Sequence, residues 1–207
     1  MPLLHPALLT GATPAALATL VPDAVLEDAE RTLPIRALTG LTGRLAAADW
    51  LWRPLVRHDP NGRWYTRLML SGVVEVWLIG WNPGQSTPVH DHGGAMGAMT
   101  VVDGILTEEG YSPDWSPTFA RRHTAGRTLG FPAHHIHRVS GAGAGPATSI
   151  HAYSPPGLPM RLAPELLAEP TAPTGPAVTA GKAVTVGDVV TVGKAVTAGP
   201  VGAMMAT

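Results

Sequence analysis

The chain of 207 residues carries 14 lysines and arginines against 15 aspartates and glutamates, for a formal net charge of −1. Its basic residues are dispersed, so the electrostatic pattern of a nucleic-acid-binding protein is missing and nucleic acid is not expected as a partner. There is no cysteine but there are 9 histidines, which excludes disulfides and thiolate metal sites and leaves imidazoles and carboxylates as metal ligands.

The first 25 residues are apolar, but they lack the positively charged start of a signal peptide. The first arginine is Arg31, and Pro6, Pro14 and Pro22 interrupt the stretch. No uninterrupted apolar run approaches the ~20 residues that a membrane-spanning helix needs. We therefore expect no membrane partner and a cytoplasmic location. The sequence leaves the oligomeric state open, with a monomer as one candidate.

A short helical cap is predicted at the start of the chain, over residues 1–60. Leu38, Leu41 and Leu45 recur at the spacing that places them on one face of a helix. The segment between residues 14 and 48 is therefore expected to form one or two helices that pack on a larger unit.

The period of the pattern changes at Trp64, where short segments rich in β-branched and aromatic residues begin. We predict strands at 64–70, 73–81, 87–92, 96–102, 105–111, 128–131, 136–140 and 147–153. Many short strands with turn signals and no helical period between them are typical of an antiparallel sandwich or barrel. A jelly-roll barrel over residues 61–162 fits best, which makes the core all-β.

Residues 163–207 form a low-complexity tail rich in proline, alanine, glycine, threonine and valine. From Ala177 a six-residue unit repeats four times and ends at Pro200. Such repeats also occur in β-helices, but at least three stacked repeats are usually needed to bury a core. If a coil takes about three units, four units give little more than one turn. We interpret the tail as a flexible extension without a role in the chemistry.

A metal site is suggested by His90 and His92, which are one residue apart and so lie on the same face of a strand. The pattern resembles the first motif of the cupin superfamily, whose fold is a jelly-roll barrel. His137 has the spacing of the third ligand in that superfamily, although His134 and His135 are close enough to compete.

Cupins with four protein ligands usually carry a glutamate four or five residues after the second histidine, where this chain has Met96 and Gly97. Three neutral imidazoles would leave three open positions in an octahedral shell, enough for a bidentate anionic substrate and dioxygen. Zinc also tolerates three histidines, with a bound water as the nucleophile. The number of ligands therefore does not decide between oxidation and hydrolysis.

Further motifs make the resemblance narrower. The chain resembles the cysteine dioxygenase family in five segments: Tyr65-Thr66-Arg67, His90-Asp91-His92, residues 102–109, His137-Arg138-Val139 and residues 149–156. The last of these, Ser-x-His-x-Tyr-Ser-Pro-Pro, is far more specific than the histidine pair. The similarity covers residues 64–156 and excludes the tail.

The resemblance implies an Fe(2+) enzyme that adds both atoms of O2 to the sulfur of a small thiol. It implies that Arg67, on the same strand face as Tyr65, binds the substrate carboxylate. It also implies a relay in which Ser149 orients His151 and His151 orients the hydroxyl of Tyr153 near the iron. Related enzymes that prefer 3-mercaptopropionate carry glutamine at the position of Arg67, so arginine favours L-cysteine.

The same family implies two details around the relay. Vertebrate members link a cysteine to the tyrosine, but the corresponding position here is Gly97, so Tyr153 is expected to be an unmodified phenol. The bond between Ser154 and Pro155 is a candidate cis peptide. Asp91 is expected to point away from the metal and to stabilise the barrel.

Two alternatives to cysteine oxidation remain. One is the same chemistry on 3-mercaptopropionate or another small thiol. The other is a non-oxidative metal-binding cupin, either a hydrolase or isomerase or a small-molecule sensing module. The second alternative ranks lower because no nucleophile or general-base carboxylate lies near the ligands in the sequence.

Overall fold

The computed structural model describes residues 2–10, 13–29 and 31–163 of the chain. Within these ranges the protein consists of short helices followed by a long succession of strands. The hexapeptide repeat and all but the first residue of the predicted tail lie outside the described residues.

Among the described residues, the first third of the chain contains four α-helices and two single 3₁₀ turns. The helices are α1 (Pro6–Thr10), α2 (Pro14–Leu20), α3 (Ile35–Ala47) and α4 (Asp49–Trp52), with 3₁₀ turns at Asp23–Val25 and Arg53–Leu55. Helix α3 begins after Pro34, whose fixed φ suits the residue that precedes a first turn. Its buried residues include Leu38, Leu41 and Leu45, which confirms the predicted apolar face.

The described part of the chain contains eleven strands. They are β1 (Leu3–Leu4), β2 (Trp64–Leu70), β3 (Glu75–Trp81), β4 (His90–Asp91), β5 (Met96–Asp103), β6 (Ile105–Tyr111), β7 (Pro117–Thr124), β8 (Thr128–Phe131), β9 (Ile136–Gly141), β10 (Ala147–Ser154) and β11 (Arg161–Leu162). Each of the eight predicted segments overlaps one of these strands. Strand β7 was not predicted, because it begins with proline and most of its side chains are exposed, so it lacks an alternating apolar pattern.

The strands form two antiparallel sheets. The first has the order β1-β2-β3-β10-β5-β8 and the second the order β11-β4-β9-β6-β7. Consecutive strands such as β9 and β10 therefore lie in different sheets, as expected for a jelly roll. The predicted all-β core and cupin jelly-roll barrel with a helical cap are confirmed.

The register of the first sheet separates an inner face from an outer face. Arg67 lies opposite Trp77, Trp77 opposite His151, and His151 opposite Met99. Residues directly opposite each other share one face of a sheet. This row lies on the inner face, since Trp77 and Met99 belong to the hydrophobic cluster inside the barrel.

The outer face of the same sheet is covered by the helical cap. Leu68, Leu78 and Ile150 belong to one buried cluster with the leucines of α3. Packing the cap on the outer face leaves the inner face available for polar side chains that face the second sheet. None of the helices within the described ranges is long and apolar enough to cross a membrane.

Candidate metal centre and its hydrogen-bond relay

Three histidines converge between the two sheets of the barrel. His90 lies in β4 directly opposite His137 in β9, and His92 follows two residues after His90. One nitrogen of each ring lies within 4.8 Å of the others. The ring centroids are 4.9 Å apart for His90–His92 and His90–His137, and 5.1 Å apart for His92–His137. All three side chains are buried.

In two of these rings, hydrogen bonds determine which nitrogen carries the proton and which keeps its lone pair. Nδ1 of His90 lies 2.9 Å from the carbonyl oxygen of Pro88, which can only accept a hydrogen bond, so Nδ1 carries the proton. Nδ1 of His137 lies 3.0 Å from Oε1 of Glu108. In both residues Nε2 keeps its lone pair, which is the form that binds a metal.

Burial keeps the same rings neutral. It lowers the pKa of His90 to about 3, with a smaller contribution from His137. Burial likewise lowers the pKa of His137, although the carboxylate of Glu108 acts in the opposite direction. Neutral imidazoles do not need to lose a proton before they bind a cation.

Glu108 is the centre of a second group of histidines behind His137. Its Oε1 accepts from His137 and from Nε2 of His135 at 2.8 Å, and its Oε2 lies 3.1 Å from Nε2 of His123. Burial raises the pKa of Glu108, but the hydrogen bonds from His135 and His137 outweigh it and lower the pKa below its ordinary value. Glu108 therefore accepts as a carboxylate and fixes the orientation of His137.

The three competing histidines take different positions. His137 joins His90 and His92, His135 binds Glu108, and His134 is exposed. Glu108 was not expected from the sequence as a partner of His137. It lies two residues after the apolar Leu106 and therefore on the same, buried face of β6, which was the available signal that its carboxylate points inward.

The side chains of Ser149, His151 and Tyr153 form a hydrogen-bonded row along β10. Oγ of Ser149 lies 2.9 Å from Nε2 of His151, and Nδ1 of His151 lies 3.0 Å from the hydroxyl of Tyr153. The row begins one residue earlier than predicted, since Nε1 of Trp81 donates to Oγ of Ser149 at 2.9 Å. An indole N–H can only donate, so this contact gives the row a fixed end.

Burial shifts the acid–base properties of the row. It lowers the pKa of His151 to about 3, with further contributions from His137 and Arg63. It raises the pKa of Tyr153 above its ordinary value, and the charge of Glu75 adds to this effect. His151 is thus neutral and the phenol of Tyr153 remains protonated at neutral pH.

The row adjoins the histidine cluster at Tyr153. The ring of Tyr153 stacks on His92 with centroids 4.6 Å apart, and Phe131 stacks on His92 at 5.2 Å. Gly97 lies opposite both Tyr153 and Phe131. A Cβ at Gly97 would lie 1.9 Å from Cε2 of Phe131, so the phenylalanine ring occupies the space of a side chain at this position.

Tyr65 and Arg67 lie on the same sheet face, as predicted, and both contact Trp77. The guanidinium of Arg67 lies 5.4 Å from the Trp77 ring centroid, and the rings of Tyr65 and Trp77 are 5.9 Å apart. Tyr65 is 37% exposed. A further arginine, Arg63, places its guanidinium 5.2 Å from the ring centroid of Trp81 and was not singled out by sequence analysis. Its alternation with Tyr65 and Arg67 was the available signal.

Two predicted details near the site are confirmed. The Ser154–Pro155 bond is cis. Asp91 forms an ion pair with Arg161, with Nε of Arg161 2.9 Å from Oδ2 of Asp91, and a hydrogen bond from the backbone N–H of Gly93. Asp91 thus links β4 to β11 and takes no part in the histidine cluster.

The donor set of His90, His92 and His137 fits a divalent transition metal. Three buried imidazoles with converging nitrogens match the softness of such ions. A bound ion would keep its full positive charge, because the three-residue cluster contains no carboxylate. The site can therefore attract an anionic ligand.

Several solved structures are similar to this chain. Among solved structures, the chain is similar to a double-stranded β-helix protein from Klebsiella pneumoniae, at 17% identity, 54% of this chain, 87% of that chain and a TM-score of 0.48. It is similar to a Thermus thermophilus protein at 21% identity, over 50% of this chain and 92% of that chain, with a TM-score of 0.44. It is also similar to a cupin superfamily protein from Desulfitobacterium hafniense at 18% identity, over 49% of this chain and 84% of that chain, with a TM-score of 0.42.

The family comparison covers more of the chain. The family model for cysteine dioxygenase type I matches residues 10–161, which is well over half of the sequence. The match includes the histidine cluster, the row on β10 and all but the last residue of the predicted barrel. This protein therefore belongs to the cysteine dioxygenase type I family of oxidoreductases.

Proposed function

We propose that this protein is an Fe(2+)-dependent thiol dioxygenase that converts L-cysteine to cysteine sulfinic acid. In this reaction the S–H bond breaks, two S–O bonds form, and both atoms of one O2 end on sulfur. The observation that carries the proposal is the contact between the three-histidine cluster and the Ser149–His151–Tyr153 row, where Tyr153 stacks on His92 at 4.6 Å.

His90, His92 and His137 are the residues that would hold the iron. When bound, ferrous iron supplies the one-electron chemistry that couples O2 to sulfur. The neutral rings favour binding of the substrate as a thiolate, because they leave the charge of the cation uncompensated. Glu108 keeps His137 in the required tautomer.

Arg67 and Tyr65 are the proposed contacts for the substrate carboxylate. A planar guanidinium can bind both oxygens of a carboxylate at once. The stacking of Arg67 on Trp77 supports this role, because it restricts the side chain on the inner sheet face. Restricting the substrate at its carboxylate would align its sulfur with the metal.

Tyr153 is proposed to donate a hydrogen bond next to the reacting sulfur and oxygen. The N–H of Trp81 occupies one lone pair of Ser149, so the hydroxyl proton of Ser149 is available to Nε2 of His151. In that tautomer Nδ1 of His151 donates to the oxygen of Tyr153, and the phenol proton is left for donation to a group other than His151. The raised pKa of Tyr153 favours a phenol that donates.

The direct test is oxygen consumption by protein loaded anaerobically with Fe(2+). With cysteine we expect one sulfinate for each O2 consumed, measured by an oxygen electrode and mass spectrometry. Full iron occupancy without sulfinate would contradict the proposal, and stoichiometric zinc in protein purified without added metal would point to a non-oxidative cupin instead.

A panel of thiols then decides the substrate. Wild-type protein is expected to have a higher kcat/KM for cysteine than for 3-mercaptopropionate, and Arg67→Gln should shift this preference away from cysteine. A higher value for 3-mercaptopropionate in the wild type would assign that thiol as the substrate while retaining the chemistry.

A further inference from the structure

Arg63 is a charged residue of the inner face that has no role in the proposed reaction. It is half-buried just before β2, in step with Tyr65 and Arg67. Its guanidinium lies 5.2 Å from the ring centroid of Trp81, whose own side chain is fully buried. Since Trp81 also donates to Ser149, Arg63 stacks on the residue that anchors the relay.

The electrostatic influence of Arg63 reaches the relay, which it adjoins through Trp81. After burial and the effect of His137, its charge contributes to the lowered pKa of His151. Both the contact and the charge thus place Arg63 beside the relay of the proposed site.

Within residues 2–10, 13–29 and 31–163, Arg63 has no carboxylate as a salt-bridge partner. Two other arginines of the barrel do have such partners: Arg138 pairs with Glu109 and Arg161 with Asp91. Burial lowers the pKa of Arg63, yet a guanidinium remains charged at any ordinary pH. A partly desolvated cation without a counter-charge is costly, and an anionic ligand would relieve that cost.

We propose that Arg63 is a second carboxylate-binding residue of the substrate site, and that it restricts the enzyme to thiols that carry a carboxylate. This inference rests on the proposed function. The oxygens of one carboxylate have lone pairs enough for two guanidiniums, so binding to Arg67 would leave acceptor capacity for Arg63.

The same residue acts against thiols of the wrong charge. A thiol amine without a carboxylate, such as cysteamine, would bring an ammonium group towards an uncompensated guanidinium in a partly desolvated site. Like charges at such a place repel, which gives selectivity by rejection as well as by attraction. A neutral thiol such as 2-mercaptoethanol would experience neither effect.

Binding of thiols to the Co(2+)-loaded protein under anaerobic conditions tests the proposal without turnover. Thiolate binding to cobalt produces a charge-transfer absorption band, and titration of that band gives Kd for each thiol. For Arg63→Met we expect Kd to rise about 10- to 100-fold for cysteine and 3-mercaptopropionate, the size of one lost charged hydrogen bond. For Arg63→Lys we expect Kd values between those of the wild type and those of Arg63→Met, because lysine keeps the charge but loses the planar fork.

Several controls separate this role from a structural one. Kd of 2-mercaptoethanol should stay within about twofold in Arg63→Met, and cysteamine should bind more tightly than to the wild type. Cobalt content should stay at one ion per chain. Arg36→Met, at an exposed position on α3, should change none of these values.

The contrary outcomes are distinct. An equal loss for all four thiols would assign Arg63 a structural role, and unchanged Kd values for all would place it outside the site; either result overturns the proposal. If the wild type retains cobalt but no thiol produces the band, the proposed function fails and the role of Arg63 fails with it.

Discussion

At the scale of single residues, the carboxylate of Glu108 is the clearest determinant of metal affinity outside the three histidines. It holds Nδ1 of His137 at 3.0 Å, and removing such a partner typically lowers metal affinity 10- to 100-fold. We therefore expect Glu108→Gln to raise Kd for Co(2+) by about one to two orders of magnitude, measured by competition with a chelator of known affinity.

The neighbouring residue provides a matched control for this prediction. Glu109 lies on the opposite face of β6 and pairs with Arg138. Glu109→Gln should leave Kd for Co(2+) unchanged within about twofold, since a surface ion pair contributes little. Equal effects of the two variants would show that Glu108 acts through general electrostatics and not through His137.

The residues that sequence analysis found and those that it missed differ in a physical respect. His90 and His92, like the members of the row on β10, are related by the two-residue period of an extended chain, which a sequence displays directly. Trp81, Glu108 and Arg63 act through partners on other strands. Such contacts depend on which strands are neighbours and on their register, and neither is encoded in local spacing.

At the scale of one element, β10 predicts how the relay responds to mutation. Ser149→Ala removes the hydroxyl that links Trp81 to His151 by hydrogen bonds but leaves the metal ligands intact. We expect kcat to fall by about 10-fold, less than the roughly 100-fold or more that a positioned proton donor itself contributes, while Co(2+) affinity stays unchanged. The measurement is steady-state oxygen consumption together with metal titration.

Coupling along the row can be measured separately. Tyr153→Phe should lower kcat at least as much, and the double variant should lose little more than Tyr153→Phe alone, because both residues act through one hydroxyl. Thr148→Ala, on the outer face of β10 beside His58, serves as the control. Additive losses would mean that Ser149 acts independently of Tyr153.

The pairing of β5 with β8 leads to a prediction about stability. A Cβ at Gly97 would lie 1.9 Å from Phe131, so Gly97→Ala should destabilise the protein by about 1–3 kcal/mol, the usual cost of overpacking. Urea unfolding gives the value. In a Phe131→Leu background the same change should cost less, because the smaller side chain leaves room for the methyl group.

A glycine with free space around it provides the comparison. Gly43 lies inside α3, and a Cβ at this position would have nothing within 4 Å beyond the helix's own backbone. Because alanine has the higher helix propensity, Gly43→Ala should stabilise the helix by about 0.5–1 kcal/mol. If Gly97→Ala costs the same in both backgrounds, the ring of Phe131 is not the cause of the destabilisation.

At the scale of the whole molecule, most strands were predictable from their apolar pattern. Some strands bury one face and alternate apolar and polar residues, and others bury both faces and form continuous apolar runs. Strand β7 was not, since its side chains are mostly exposed and its place in the sheet is set by pairing with β6. The order of strands in the two sheets was not predicted, because a list of strands does not specify which pairs adjoin.

The buried histidines predict how the stability of the whole fold depends on pH. His90 and His151 have pKa values of about 3 in the folded protein against an ordinary 6.5. Below pH 6.5 the unfolded chain therefore binds protons that the folded chain does not, so stability falls as pH drops from about 6.5 towards 3, by at most ~1.4 kcal/mol per pH unit for each histidine. The lowered pKa of Glu108 adds a further loss of stability below pH 4.5.

Urea midpoints of metal-free protein at pH 7.5, 6.5 and 5.5 should decrease in that order. His151→Asn should reduce the slope, whereas His134→Asn, at an exposed position, should not; midpoints that stay level or rise on acidification would contradict neutral burial of these rings.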